Sequence, residues 1–191
     1  MAAADYLGQL KSRLGITDTN DDAALLGLLQ STLTMIQEYT GRDYAATTAT
    51  RTFTAESGGR CEIDDLLTVT TLKTDGQGDL TYGDTWSTSD YQLEPPNETP
   101  KTHIILHPTG NEAFPTHRNG VQIAGSFGYA TTPPEPIREA VLLESSRAWM
   151  QSQSPSGIVA SPELGTLLVV PAMHPSTMLN LQPYVKMDLR A

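Results

Sequence analysis

The sequence holds little from which to build chemistry. Cys61 is the only cysteine among 191 residues, which excludes an internal disulfide framework and any thiolate metal site. A half-buried strand position is its expected place. Aromatic residues make up 6% and hydrophobic residues 38% of the chain. That supply is lean for this length and, with abundant Thr, Ser, Gly and Pro, favours short strands and turns over a large helical bundle. No stretch has the apolar length needed to span a bilayer. The segment Met1 to Tyr6 lacks the basic region and apolar run of a signal peptide, so the expectation is a soluble protein with no membrane partner.

Clustered Lys and Arg are also missing. The formal net charge is −10, and residues 51–100 alone carry 10 acidic against 3 basic groups. Counterion release needs grouped cations, so tight nucleic-acid binding is not expected. A surface that repels phosphate can nevertheless line a channel through which DNA slips.

What is present is an ordered succession of elements. A first helix is expected over 4–14, with Tyr6, Leu7, Leu10 and Leu14 on one stripe and Gly15 as its stop. The acidic turn Thr17 to Asp22 lacks the central Gly and closing Glu of a calcium loop. It reads instead as a cap from Asp18 or Asn20. A second helix is expected over 20–40, carrying Leu25, Leu29, Leu33 and Ile36 at intervals of three or four, with Gly41 as its left-handed terminator. Leu26, Leu28 and Tyr39 widen its apolar face. So broad a face implies either a central position or contact with a neighbouring subunit.

From 45 to 130 the period changes to two. Strands are expected near 50–54, 61–63, 67–73, 91–93, 102–107 and 121–129, separated by turns such as Asp75-Gly76-Gln77-Gly78 and Asn119-Gly120. Thr132 to Glu135 reads as a capping box opening a third helix over 133–150, with Ile137, Val141, Ala148 and Trp149 facing inward. Over residues 158–191, Pro162, Pro171, Pro175 and Pro183 exclude a long helix, yet Ile158, Val159, Leu164, Leu167 to Val170, Met173, Leu179, Leu181 and Tyr184 make the segment apolar. Such a tail is a poor candidate for disorder and a good one for an arm that folds against something.

No catalytic constellation emerges. His103 and His107 lie four apart, but on a strand that spacing separates them by roughly 13 Å, too far to share one ion. His117 and His174 lie in turn-rich segments. Gly125-Ser126-Phe127-Gly128 misses the spacing of a nucleophile elbow, and the glycines at 76 and 78 lack the Gly-Lys-Ser/Thr ending of a phosphate loop. The carboxylates between Glu56 and Glu98 read as a solvated acidic face. No cofactor or metal is expected.

The order of the pieces resembles tailed-bacteriophage head–tail connector (adaptor) proteins. The front half is carried by the acidic cap, the helix ending Ile36 to Arg42, and Thr50-Arg51-Thr52-Phe53. Val69 to Gly76, Asp90 to Pro95, and Gly125 to Ala130 before a proline-started helix carry the middle. The ending Leu181-Gln182-Pro183-Tyr184-Val185-Lys186 is similar to the Leu-x-Pro-Tyr-Arg endings common there, with Val185 and Lys186 departing from them. The resemblance implies a ring of identical subunits matching the portal's twelvefold symmetry, in the neck of a virion assembled in the host cytoplasm. It also implies helices forming the ring body and a C-terminal arm reaching the portal.

The expectation is therefore an α+β chain: a small bundle of three main helices, an inserted antiparallel β-region and an extended C-terminal arm. Residues 1–152 would form the adaptor core and 153–191 the arm. The expected role is structural and non-enzymatic, with partners in the chain itself, the portal, a head-completion (stopper) or tail protein, and DNA passing without sequence-specific contact. Leu179, Leu181, Tyr184 and Lys186 are the candidate arm contacts. Leu25, Leu29, Leu33 and Ile36 are candidates for helix packing, within or between subunits. The rival readings are a monomeric β-rich ligand-binding module and a small hydrolase.

Overall fold

The computed structural model describes residues 2–110, 112–153 and 173–186. The chain divides into two compact units: a helical one, formed by residues up to Arg42 and from Pro133 onward, and a β unit spanning Asp43–Thr132. The class is α+β, with the sheet inserted in sequence between the second and third helices.

In the helical unit, α1 (Ala4–Leu14) buries Tyr6 and Leu10 and ends at Gly15, whose φ of 71° is the left-handed conformation that glycine adopts without strain. Helix α2 (Asp22–Thr40) buries Leu25, Leu29, Leu33 and Ile36, together with Thr32 and Thr40. Each of these leucines contributes about 1.5–3 kcal/mol on leaving water. The cap of α2 differs from expectation: the N-cap is Asp21 and its side chain makes no capping bond, while Asp18 Oδ1 accepts from the Asn20 N–H in a local turn. Lys11 closes the other side through a 2.6 Å ion pair with Asp22.

Helix α3 (Glu135–Ser152) packs against α1, α2 and the later α4 (Pro175–Leu181), so α3, and not α2, is the central helix. Its buried set explains this: Ile137, Ala140, Val141, Leu142, Glu144, Ser145 and Ser146 occupy more than one face, and the small residues admit close neighbours. Ala148 and Trp149 are half-buried. The expected capping box at Thr132 does not form; the N-cap is Pro134, which offers no side-chain acceptor, and Pro136 sits in the first turn, where no N–H is needed.

The β unit is one antiparallel sheet of six strands: β1 (Thr47–Phe53), β2 (Arg60–Thr74), β3 (Asp84–Trp86), β4 (Tyr91–Glu94), β5 (Lys101–Leu106) and β6 (Val121–Phe127). The spatial order is β1-β6-β2-β5-β4, with β3 pairing the end of β2. The two strands expected at 61–63 and 67–73 are one continuous strand of 15 residues. Register shifts between Glu62 and Leu66, Leu66 and Thr68, and Val69 and Thr71 disturb the strict alternation that sequence periodicity relies on. β2 serves three partners: β5 along its first half, β6 along its second, and β3 at its end.

Among its described residues this unit contains no helix, and its strands and loops supply a core of their own. Cys61, Ile63, Leu66, Leu72, Trp86, Tyr91, Ile104, Phe114, Val121, Ile123 and Phe127 form one buried cluster. Trp86 stacks on Phe114 at 4.5 Å between centroids, and its indole N–H donates to Thr74. Cys61 is fully buried rather than half-buried, and burial pushes its thiol up to about 12.

Candidate functional site

The residues singled out at the C-terminus converge on one end of the helical unit. Helix α2 stops at Gly41, in the left-handed conformation, and its last carbonyls need partners. Gly41 N–H takes the Gln37 carbonyl at 2.8 Å, and Lys186 N–H donates to the Thr40 carbonyl at 2.7 Å. Arg42 Nε donates to the Tyr184 carbonyl at 2.9 Å. The Leu181 to Lys186 ending is thus held by its main chain to the exit of α2.

Upstream of that ending, His174 caps α4: its Nδ1 accepts the Ser176 N–H at 3.2 Å, and Pro175 occupies the first turn. Met173, Thr177 and Leu181 are buried. The Thr177 hydroxyl donates to the carboxylate of Glu144, which also receives Arg147 at 2.8 Å. A carboxylate on the inward side of α3 would be costly alone; here it is paired and ties α4 to α3. The Tyr39 hydroxyl reaches the Met178 carbonyl at 3.4 Å.

The four candidate arm residues therefore divide. Leu181 is buried within its own helical unit, and Tyr184 and Lys186 are half-buried. Leu179 is 68% exposed, Tyr39 37% and Met150 on α3 63%. Leu25, Leu29, Leu33 and Ile36 are all buried in the chain itself. Sequence reading missed Glu144, Thr177, His174 and Tyr39 as parts of this site. Glu144 had a legible signal, since it continues the inward stripe of Ile137 and Val141 at helical spacing. The remainder of the candidate arm, 154–172 and 187–191, lies outside the described residues.

The same unit carries an open groove of about 460 Å³ between α1 and α3, lined by Gly8, Gln9, Ser12, Arg13, Glu139 and Leu142. It is bridged by the Arg13–Glu139 ion pair at 2.9 Å and by Arg138 donating to Gln9.

In the β unit, the carboxylate with a defined role is Asp75. Its side chain is fully buried. Burial raises its pKa, but the N–H groups of Leu80, Gly78 and Gln77 and the His117 imidazole outweigh that and bring it down to about 2. Such a group is a fixed anion that folds the loop after β2, and it lies far from the range useful to a general acid at neutral pH. The turn read there is real, but Asp75 organises it. His103 lies on β5 bonded to Thr102, and His107, just past the strand end, bonds Thr109. Among the described residues no group of three His, Cys, Asp or Glu side chains could hold a metal ion, and no helix is long and apolar enough to cross a membrane.

No family model matches the sequence, and no curated protein matches it. Solved structures do match. A chain in the neck of an empty GTA particle computed with C6 symmetry superposes with a TM-score of 0.61 at 17% identity, covering 93% of this chain and 87% of that one. A chain in the neck of a native GTA particle computed with C12 symmetry gives 0.57 at 18%, over 94% and 87%. One in the virion of the native gene transfer agent (GTA) particle gives 0.55 at 18%, over 97% and 89%. At these identities the likeness establishes a shared fold across nearly the whole chain. The same fold thus occurs in chains from the neck and virion of a gene transfer agent particle.

Proposed function

We propose that this chain is a structural head–tail connector subunit of a phage-like virion, forming a ring between the portal and the next connector or tail protein and continuing the DNA channel. The observation that carries the reading is a fold shared over 93% and 94% of the chain with neck chains of particles computed with C6 and C12 symmetry. A subunit of a symmetric ring meets its neighbours through heterologous surfaces, each small and repeated around the ring.

The distribution of charge supports the same role. Residues 43–132 carry 12 acidic and 5 basic groups, so most of the net −10 belongs to the β unit. A surface of that sign does not hold phosphate, which suits a channel wall past which DNA moves. In this reading Leu179 supplies the exposed apolar contact to the portal. Leu181, Tyr184 and Lys186 act in docking by holding the segment that presents Leu179, and Asp75 shapes a loop. The chain carries out no catalysis.

Light scattering on the protein alone, and mixed with the portal ring of its own phage, tests this. A ring, or stoichiometric capture by the portal that Leu179→Ser weakens at least tenfold, supports it. A strict monomer that ignores the portal overturns it in favour of a monomeric binding module. Leu179→Ser is a cleaner probe than deleting 176–191, because the deletion also removes the Lys186 partner of the α2 terminus.

A further inference from the structure

Among the described residues of the β unit, Leu80 is the large hydrophobic side chain that stands exposed, at 58%. Its backbone is unusual as well. Leu80 has a φ of 62°, in the left-handed region that a bulky side chain rarely adopts. The other described non-glycine residue with positive φ is Asn119, a residue type that tolerates this conformation. Residues in such conformations persist only where their surroundings hold them, and they cluster at active sites, ligand clamps and switches.

The surroundings that hold Leu80 are specific. Its N–H donates to Asp75 Oδ2 at 2.8 Å, and the Gln77 and Gly78 N–H groups donate to Asp75 Oδ1. Asp79 Oδ1 accepts the Thr81 N–H, and the Tyr82 hydroxyl donates to the Asn119 carbonyl, at 2.9 Å in each case. The Asp75 N–H donates in turn to the Gly120 carbonyl at 2.9 Å. The loop between β2 and β3 is thus fastened at both ends to the turn before β6, while its apolar side chain is left to solvent. A contact residue already held in shape loses little freedom on binding. Asp79 and Asp84 are exposed on either side of Leu80, the loop between them carries no cation, and Arg118 is exposed in the adjoining turn.

We propose that Leu80 is the apolar anchor by which the β unit docks on the next connector or tail protein, entering an apolar pocket rimmed by Lys or Arg. The proposal rests on the connector reading above and names a contact within it. A second copy of this chain fits the surface poorly, because a chain carrying −10 brings no excess of cations to Asp79 and Asp84. The connector reading gives the portal to Leu179, in the helical unit, which leaves the anchor of the β unit for the other neighbour. One leucine is a small contact. In a ring it recurs once per subunit, and linked contacts bind far more tightly than one alone.

The test uses full-length chains assembled on the portal ring and mixed with the purified stopper protein, or with purified tails, of the same phage. Binding is read by co-sedimentation, and one of the two probes is expected to bind the wild-type assembly. Leu80→Asn removes the apolar side chain yet suits a positive φ, so it is expected to weaken that binding at least tenfold. Its thermal midpoint should be no lower than wild type, and its capture by the portal unchanged. Leu80→Met keeps an apolar side chain of similar volume and is expected to bind within about threefold of wild type. Raising salt from about 0.1 to about 1 M should weaken wild-type binding several-fold, as a basic rim requires. Leu80→Asn that binds as wild type does, or a wild-type assembly that binds neither probe, overturns the contact and spares the ring. Binding lost in both variants together with a lowered midpoint makes Leu80 a loop-packing residue and overturns the contact too. Loss of ring assembly in Leu80→Asn places Leu80 between copies and overturns the choice of partner. Binding that salt leaves unchanged overturns the basic rim. A wild-type chain that forms no ring, alone or on the portal, overturns the connector reading and this inference with it.

Discussion

Asp75 shows how a single carboxylate can do structural work that its neighbours in sequence conceal. Three backbone N–H groups converge on it from Gln77, Gly78 and Leu80, and His117 Nε2 stands 3.3 Å away. Folding lowers its pKa from 3.8 to about 2. As the pH falls the unfolded chain therefore takes up this proton first. The contribution of Asp75 is whole above about pH 4 and drains away as the pH approaches about 2. Urea midpoints of Asp75→Asn are expected to lie below wild type at pH 6, and the gap should narrow between about pH 4 and 2.5. An equal gap at both ends of that window would mean that the ionised carboxylate is not what holds the loop. Gly125 is a second residue whose role lies outside local pattern. An added Cβ would stand 2.2 Å from the Thr68 carbonyl oxygen, so β6 and β2 approach there as only glycine allows. Gly125→Ala is expected to lower unfolding free energy by about 1–3 kcal/mol, the usual cost of overpacking, measured by urea titration.

At the scale of elements, α4 separates packing from recognition. Leu181 and Leu179 are two positions apart and on opposite sides: one fully buried, the other 68% exposed. Leu181→Ala is expected to cost about 2–5 kcal/mol, as buried leucines do, and to raise amide exchange over residues 173–186. Leu179→Ser should leave exchange unchanged and reduce only capture by the portal. If Leu179→Ser destabilises the chain as Leu181→Ala does, the exposed position is not a docking contact. Helix periodicity made α1 and α2 readable to within two residues, because each buries a stripe at intervals of three or four, and the proline-opened start did the same for α3, which is buried on more than one face. Helix α4 was not read: seven residues opened by a proline carry too little periodicity, and its stability comes from Glu144, Tyr39 and the exit of α2. The strand β3 was missed for the same reason, since three residues define no alternation.

At the scale of the molecule, copies that each carry −10 repel one another. Raising salt from about 0.1 to about 1 M shortens the screening length from about 10 to about 3 Å. Self-association is therefore expected to strengthen over that range, as read by light scattering at fixed protein concentration. Weakening with salt would mean that opposite charges, and not apolar or main-chain contacts, join the subunits.

The sequence by itself determined the α+β class, the three main helices, the inserted antiparallel region, the stop at Gly15, the left-handed end at Gly41, and the apolar stripe of Leu25, Leu29, Leu33 and Ile36. All of these follow from local period and from backbone freedom at single residues. Only the tertiary structure decided that α3 is the central helix, that Leu25, Leu29, Leu33 and Ile36 are buried within the chain, that β2 is one bulged strand with three partners, and that the Lys186 main chain caps α2. It also decided that Asp75 is buried among amide donors and that its loop exposes Leu80. These are relations between residues 30 to 150 positions apart or between hydrogen-bond partners, and neither periodicity nor residue type carries information about them.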